Sequence, residues 1–112
     1  MNAIKLSTIN LIQGDPLVLS INDSLFDSMY NIGSAISTLG NIYMDVSNSV
    51  FSNLSSQMGG AVLQAFEAAL DLHYLFSNNA ITNCYASSST VFYIKSVNIL
   101  TLQNCTITNN YA

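Results

Sequence analysis

The chain has 112 residues, enough for one domain and one core; half are hydrophobic, and the charged residues are two Lys, no Arg, five Asp and one Glu, for a net charge of −4. That apolar content excludes a disordered tail, and the lack of clustered cations excludes nucleic-acid binding, which needs phosphate neutralisation. With so few charges, the polar surface must come from Asn, Ser and Thr, a third of the chain, which suit exposed strand faces and corners.

Residues 1–16 contain Ile4, Leu6, Ile9 and Leu11 as an apolar set and the single Pro16, and read as a partial N-terminal coil. No long apolar segment marks a signal peptide there. From Leu17 onward apolar residues alternate, as in Leu17/Leu19/Ile21, then Ile42/Met44/Val46, then Leu70/Leu72/Tyr74/Phe76. That is strand periodicity.

The chain also repeats. Ile81-Thr82-Asn83-Cys84-Tyr85-Ala86 returns as Ile107-Thr108-Asn109-Asn110-Tyr111-Ala112, and earlier copies begin near 21 and 46, so that repeat starts fall near 21, 46, 76 and 102. Stacking the copies gives columns. The first holds Ile21, Val46, Phe76 and Leu102; two residues earlier stand Leu19, Met44, Tyr74 and Leu100. Five residues later come Phe26, Phe51, Ile81 and Ile107. Polar columns hold Asp23, Asn48, Asn78 and Asn104, then Ser28, Asn53, Asn83 and Asn109. Asn tolerates the left-handed conformation of a sharp corner, and its amide can bond the Asn of the next coil. An asparagine ladder over Asn48, Asn78 and Asn104, and over Asn53, Asn83 and Asn109, is therefore expected beside the apolar core columns.

Each repeat has room for a third strand, expected over Ser34–Leu39, Ala61–Ala65 and Thr90–Lys95. Gly33 and Gly59-Gly60 precede two of these, where a bend needs positive φ; Ser87-Ser88-Ser89 takes their place in the third. The interval from Val46 to Phe76 is longer than the others, which predicts a loop insertion around Phe66–Ala69. Residues 61–70 also have the best local helix propensity, so a short helix competes there. The apolar stretch Gly59–Phe76 is broken by Gln64, Glu67, Asp71 and His73, which argues against a membrane span.

Short strands repeating about every 25 residues without helices predict an all-β solenoid whose coils stack at about 4.8 Å. Phe51-Ser52-Asn53 followed by Gly59-Gly60-Ala61-Val62 resembles the Phe/Asn and Gly-Gly-Ala-Ile repeats of polymorphic outer-membrane proteins. The chain is also similar to Asn/Ser-rich surface repeat proteins of microbial eukaryotes that share the pectin-lyase-like fold. The resemblance covers residues 17–112. It implies a right-handed parallel β-helix of about four coils. Because the last copy stops at Ala112 before its Gly/Ser corner and residues 1–16 supply no cap, 17–112 are expected to be β-helix coils truncated at the C-terminus, both ends uncapped and the whole a fragment. An antiparallel β domain would explain the alternation but not the columns.

The pectin-lyase-like resemblance includes polysaccharide lyases and hydrolases, whose chemistry needs paired carboxylates, or a base near cations or metal. Lys5 and Lys95 lie far apart in sequence, and Asp23 and Asp27 read as a solvated corner. Asp45 and Asp71 alternate with apolar residues and should face outward, as should His73, which has no second His to form a metal set. The Asp23/Asn48 column is at best a thin calcium loop. Cys84 and Cys105 fall at different positions around the coil, over about 10 Å apart at strand rise, so two free thiols are expected. The sequons at Asn22, Asn53 and Asn104 are no more than an Asn/Ser-rich chain yields by chance. The expectation is a non-catalytic structural or adhesive segment of a larger surface or secreted protein, extracellular or at the cell surface, with no cofactor and no metal. Its partners would be the flanking coils of the parent chain and carbohydrate or another surface protein. The alternative is a non-catalytic portion of a carbohydrate-active β-helix enzyme.

Overall fold

The structure is a computed structural model that describes residues 4–7, 17–30, 33–39, 42–57, 59–66, 72–87, 91–94 and 98–111. Every element in it is a strand, and every strand pairing is parallel.

Four sheets are built by strands far apart in sequence. One contains, side by side, β1 (Ile4–Ser7), β4 (Ile36–Leu39), β8 (Leu63–Phe66) and β12 (Phe92–Ile94). A second contains β2 (Leu17–Asn22), β5 (Ile42–Ser47), β9 (Leu72–Ser77) and β13 (Asn98–Gln103). A third contains β3 (Leu25–Asp27), β6 (Val50–Ser52), β10 (Ala80–Thr82) and β14 (Thr106–Thr108). The fourth pairs β7 (Ser55–Ser56) with β11 (Tyr85–Ala86), and a bridge from Tyr85 to Tyr111 extends it. The chain visits the first three sheets in the same cyclic order in each copy of the repeat.

The register follows the sequence columns. Ile21 pairs with Val46, Val46 with Phe76, and Phe76 with Leu102. Phe26 pairs with Phe51, Phe51 with Ile81, and Ile81 with Ile107. Along β5 burial alternates strictly: Ile42, Met44 and Val46 are buried, Tyr43 and Asp45 exposed. Period two puts every second side chain on the core face, and the parallel register puts like on like. Phe26 and Phe51 stack with centroids 4.8 Å apart and planes within 6°, about one strand spacing. Val46, Phe51, Tyr74, Phe76 and Ile81 are fully buried, whereas their counterparts in the last copy, Leu102 and Ile107, are 42% and 39% exposed.

Between the second and third sheets the chain turns in two residues. Asp23, Asn48, Asn78 and Asn104 have φ of 51–55°. Ser28, Asn53, Asn83 and Asn109 take the same conformation, at 53–56°, at the next corner. The left-handed step swings the strand through the corner and keeps its N–H aimed along the sheet. Asn48 N donates to Ser77 O at 3.1 Å, and Asn78 N to Gln103 O at 2.9 Å. Asn adopts this conformation at less cost than other residues with a Cβ, which is why it fills these positions.

Two sequence-based expectations change. The third strand starts later than Ser34, Ala61 and Thr90: β4, β8 and β12 begin at Ile36, Leu63 and Phe92. The residues ahead of them form a buried bend, in which the Ser34 hydroxyl lies 3.1 and 2.6 Å from the Gly59 and Gly60 carbonyls. Gly60 has φ +63°, and a Cβ there would sit 2.1 Å from Leu63 O, so only glycine fits. The short helix competing over 61–70 is displaced at Leu63–Phe66, where pairing to β4 and β12 decides against local propensity. The expected insertion at Phe66–Ala69 lies outside the described residues beyond Phe66, as do Asp71, Ser88 to Thr90 and Lys95.

Candidate functional site

Past the second left-handed corner, the alternation in and out gives each copy one outward side chain at an equivalent place. After Asn53, Leu54 turns inward and is 1% exposed, and Ser55 faces out; after Asn83, Cys84 is buried and Tyr85 faces out. In the first and last copies the same place holds Tyr30 and Tyr111, which are 64% and 61% exposed. Backbone bonds fix the stacking: Ser55 N donates to Met29 O, Tyr85 N to Leu54 O and Tyr111 N to Cys84 O, at 2.8–2.9 Å. Tyr30, Tyr85 and Tyr111 thus line one shallow groove of 630 Å³ with Asn53, Asn83 and Ser55. The Tyr85 and Tyr111 rings lie 5.5 Å apart, tilted at 52°. A second groove, of 420 Å³, runs along Asn48, Asn78 and Asn104 beside Val50, Ala80 and Thr106.

The repeated hexapeptide pairs Tyr85 with Tyr111 in the sequence, but the column's extension to Tyr30 was not read there, although its signal is present. Counting nine residues past each repeat start gives Tyr30, Ser55, Tyr85 and Tyr111. An outward aromatic has no core neighbours to mark it, and Ser55 interrupts the column.

The asparagine columns stack at the corners, with Asn48, Asn78 and Asn104 along one groove. Asn48, Asn78 and Asn104, like Asn53, Asn83 and Asn109, are exposed corner residues whose backbone conformation is what the fold uses. Of these amides, Asn53 Nδ2 reaches the neighbouring copy, donating to Asp27 Oδ1 at 2.9 Å; the amides that bond main-chain groups across copies belong to the residue after the first corner and its equivalent after the second. Asn79 is 2% exposed; its Oδ1 accepts from Ser49 N at 2.9 Å and its Nδ2 donates to Val46 O at 2.9 Å. Asn110 does the same for Cys84 N and Ile81 O, at 2.8 and 3.0 Å. Each of these amides satisfies two main-chain groups where a corner interrupts the ladder.

The two thiols are free and occupy separate inward columns. Cys84 follows Leu54 in one, and burial pushes its thiol up. Cys105 follows Ser49 and Asn79 in the other, with Sγ 3.3 Å from Phe76 O.

Among the described acidic residues, Asp27 is the most engaged. It accepts from the Ser52 hydroxyl at 2.7 Å, the Asn53 amide at 2.9 Å and the Ser28 hydroxyl at 3.1 Å. These donors, Ser52 first, hold its carboxyl below the usual 3.8, the opposite of what a general acid at neutral pH requires. Asp23, Asp45 and His73 are exposed. Among the described residues no three His, Cys, Asp or Glu side chains gather as a metal set, and no helix is long and apolar enough to cross a membrane.

Comparison with protein-family models, with curated proteins and with solved structures finds no match. The fold and grooves therefore carry the functional reading by themselves.

Proposed function

We propose that the four parallel sheets are the walls of a right-handed parallel β-helix of about four coils, similar to the pectin-lyase-like fold. Its role would be non-catalytic: structural display and adhesion within a surface or secreted protein. The observation that carries this reading is the repeated cycle of strands through the same sheets in the same order, with equivalent residues in register every 25 to 30 positions. A chain wound in this way keeps a dry interior and turns one outward side chain per column into a line of equivalent groups. Here those lines are Tyr, Asn, Ser and Thr, which suit hydrogen bonding and stacking to a partner rather than proton transfer.

The test is retention and turnover together. Beads coated with the chain are expected to be retained on protein-coated or glycan-coated surfaces under flow, and heat-unfolded chain to lose that retention. Incubation with polygalacturonate or neutral glucans is expected to release neither reducing nor unsaturated ends. Release of either would assign the chain to the carbohydrate-active alternative, and absence of retention would remove the adhesive role.

A further inference from the structure

We infer that the tyrosine groove binds an uncharged, proline-rich peptide in the polyproline II conformation, running along the stacking direction of the repeats; this rests on the adhesive reading and names its partner. The first argument is spacing. Met29 O bonds Ser55 N and Ser55 pairs with Tyr85, so Tyr30 and Tyr85 stand two strand spacings apart, about 9.6 Å. A polyproline II helix repeats every three residues and rises about 9.3 Å in doing so. One ligand side chain in three therefore meets a ring at each end of that span, and Ser55 leaves the interval between them open.

The second argument is the chemistry of the lining. Phenol faces offer flat, apolar contact of the kind pyrrolidine rings need, and aromatic-lined grooves are a general means of holding polyproline II segments. Tyr85 and Tyr111, 5.5 Å apart and tilted at 52°, present a wedge rather than a closed stack. A polyproline II backbone makes no internal hydrogen bonds and leaves its carbonyls free. The Asn83 amide and the tyrosine hydroxyls supply donors along the same groove, where Asn53 already gives one N–H to Asp27. The groove lining itself carries no Lys, Arg, Asp or Glu, and the Asp27 carboxylate beside it is held by Ser52, Asn53 and Ser28, so the lining favours an uncharged ligand. Because the peptide is pre-extended, little conformational entropy is lost on docking.

The experiment uses the full chain and a fluorescein-labelled decaproline, with a glycine-serine decapeptide as control. Saturable binding of decaproline, absent for the control, is expected. Tyr30→Ser and Tyr85→Ser should each weaken it tenfold or more; Ser55 already occupies this column, so the fold accepts serine there. Tyr43→Ser, on a different sheet, should leave it unchanged. Amide resonances of Asn53, Asn83, Tyr85 and Tyr111 should shift with decaproline in the wild-type chain. No saturable binding, binding indifferent to both tyrosine substitutions, or the same resonances shifting only with a soluble neutral glucan would overturn the inference. If bead retention persists while decaproline fails to bind, the adhesive reading stands and only this partner is lost.

Discussion

Asn78 and Asn79 show how adjacent, identical residues do different work. Asn78 is exposed and supplies a left-handed backbone step; Asn79 is buried and its amide closes two main-chain bonds. Asn78→Gly should therefore leave stability within about 0.5 kcal/mol, while Asn78→Ala costs about 1 kcal/mol through strain. Asn79→Ala should cost about 2 kcal/mol or more, because Ser49 N–H and Val46 C=O both lose their partner. Urea denaturation of the three variants measures the order. Asp27 gives a pH counterpart. Its folded carboxyl lies below 3.8, so its contribution is complete above that value and is lost as pH falls through the lowered folded value. The acid limb of thermal stability should flatten in Asp27→Asn, and an unchanged limb would show the three donors to be without effect. The Asn columns were legible in the sequence because the corner demands positive φ at fixed spacing. Which Asn of a doublet turns inward was not, since the left-handed residue resets the in-and-out alternation of Phe76 and Ser77.

The strands themselves explain where reading the sequence works. β5 and β9 were visible because Ile42/Met44/Val46 and Leu72/Tyr74/Phe76 alternate over six residues each. The third strand was placed too early because Ala61 and Val62 look strand-like, yet they lie in the buried bend set by Gly60 and Ser34. The two-residue β7 and β11 went unseen, being too short to show a period. Core contacts across strands also leave polar remnants. The Tyr74 hydroxyl and the Thr38 hydroxyl are both sealed inside without a hydrogen bond of good geometry. Burial pushes the Tyr74 phenol up, and the neighbouring Thr38 offsets only part of that rise. Removing the hydroxyl leaves the ring packing intact, so Tyr74→Phe should be neutral or stabilising by about 1 kcal/mol. Tyr74→Ala, which empties a fully buried site, should cost about 3–5 kcal/mol. Thermal unfolding of the pair separates the hydroxyl from the ring, and a strongly destabilised Tyr74→Phe would mean that the hydroxyl has a partner.

Taken whole, the molecule is an arrangement of equivalents. Apolar columns meet inside, and Tyr30, Tyr85 and Tyr111 line up outside for the same reason. The grooves exist only because strands 25 to 30 residues apart lie parallel and in register. Antiparallel pairing would scatter the tyrosines and bring unlike residues into contact, so the groove and its proposed ligand depend on strand direction. Backbone NOEs across β5, β9 and β13 read this directly. The structure requires Hα-to-amide contacts in the register Val46–Phe76–Leu102, with Met44–Tyr74–Leu100 beside it. Strong Hα-to-Hα contacts between these neighbouring strands, the mark of antiparallel pairing, would contradict it.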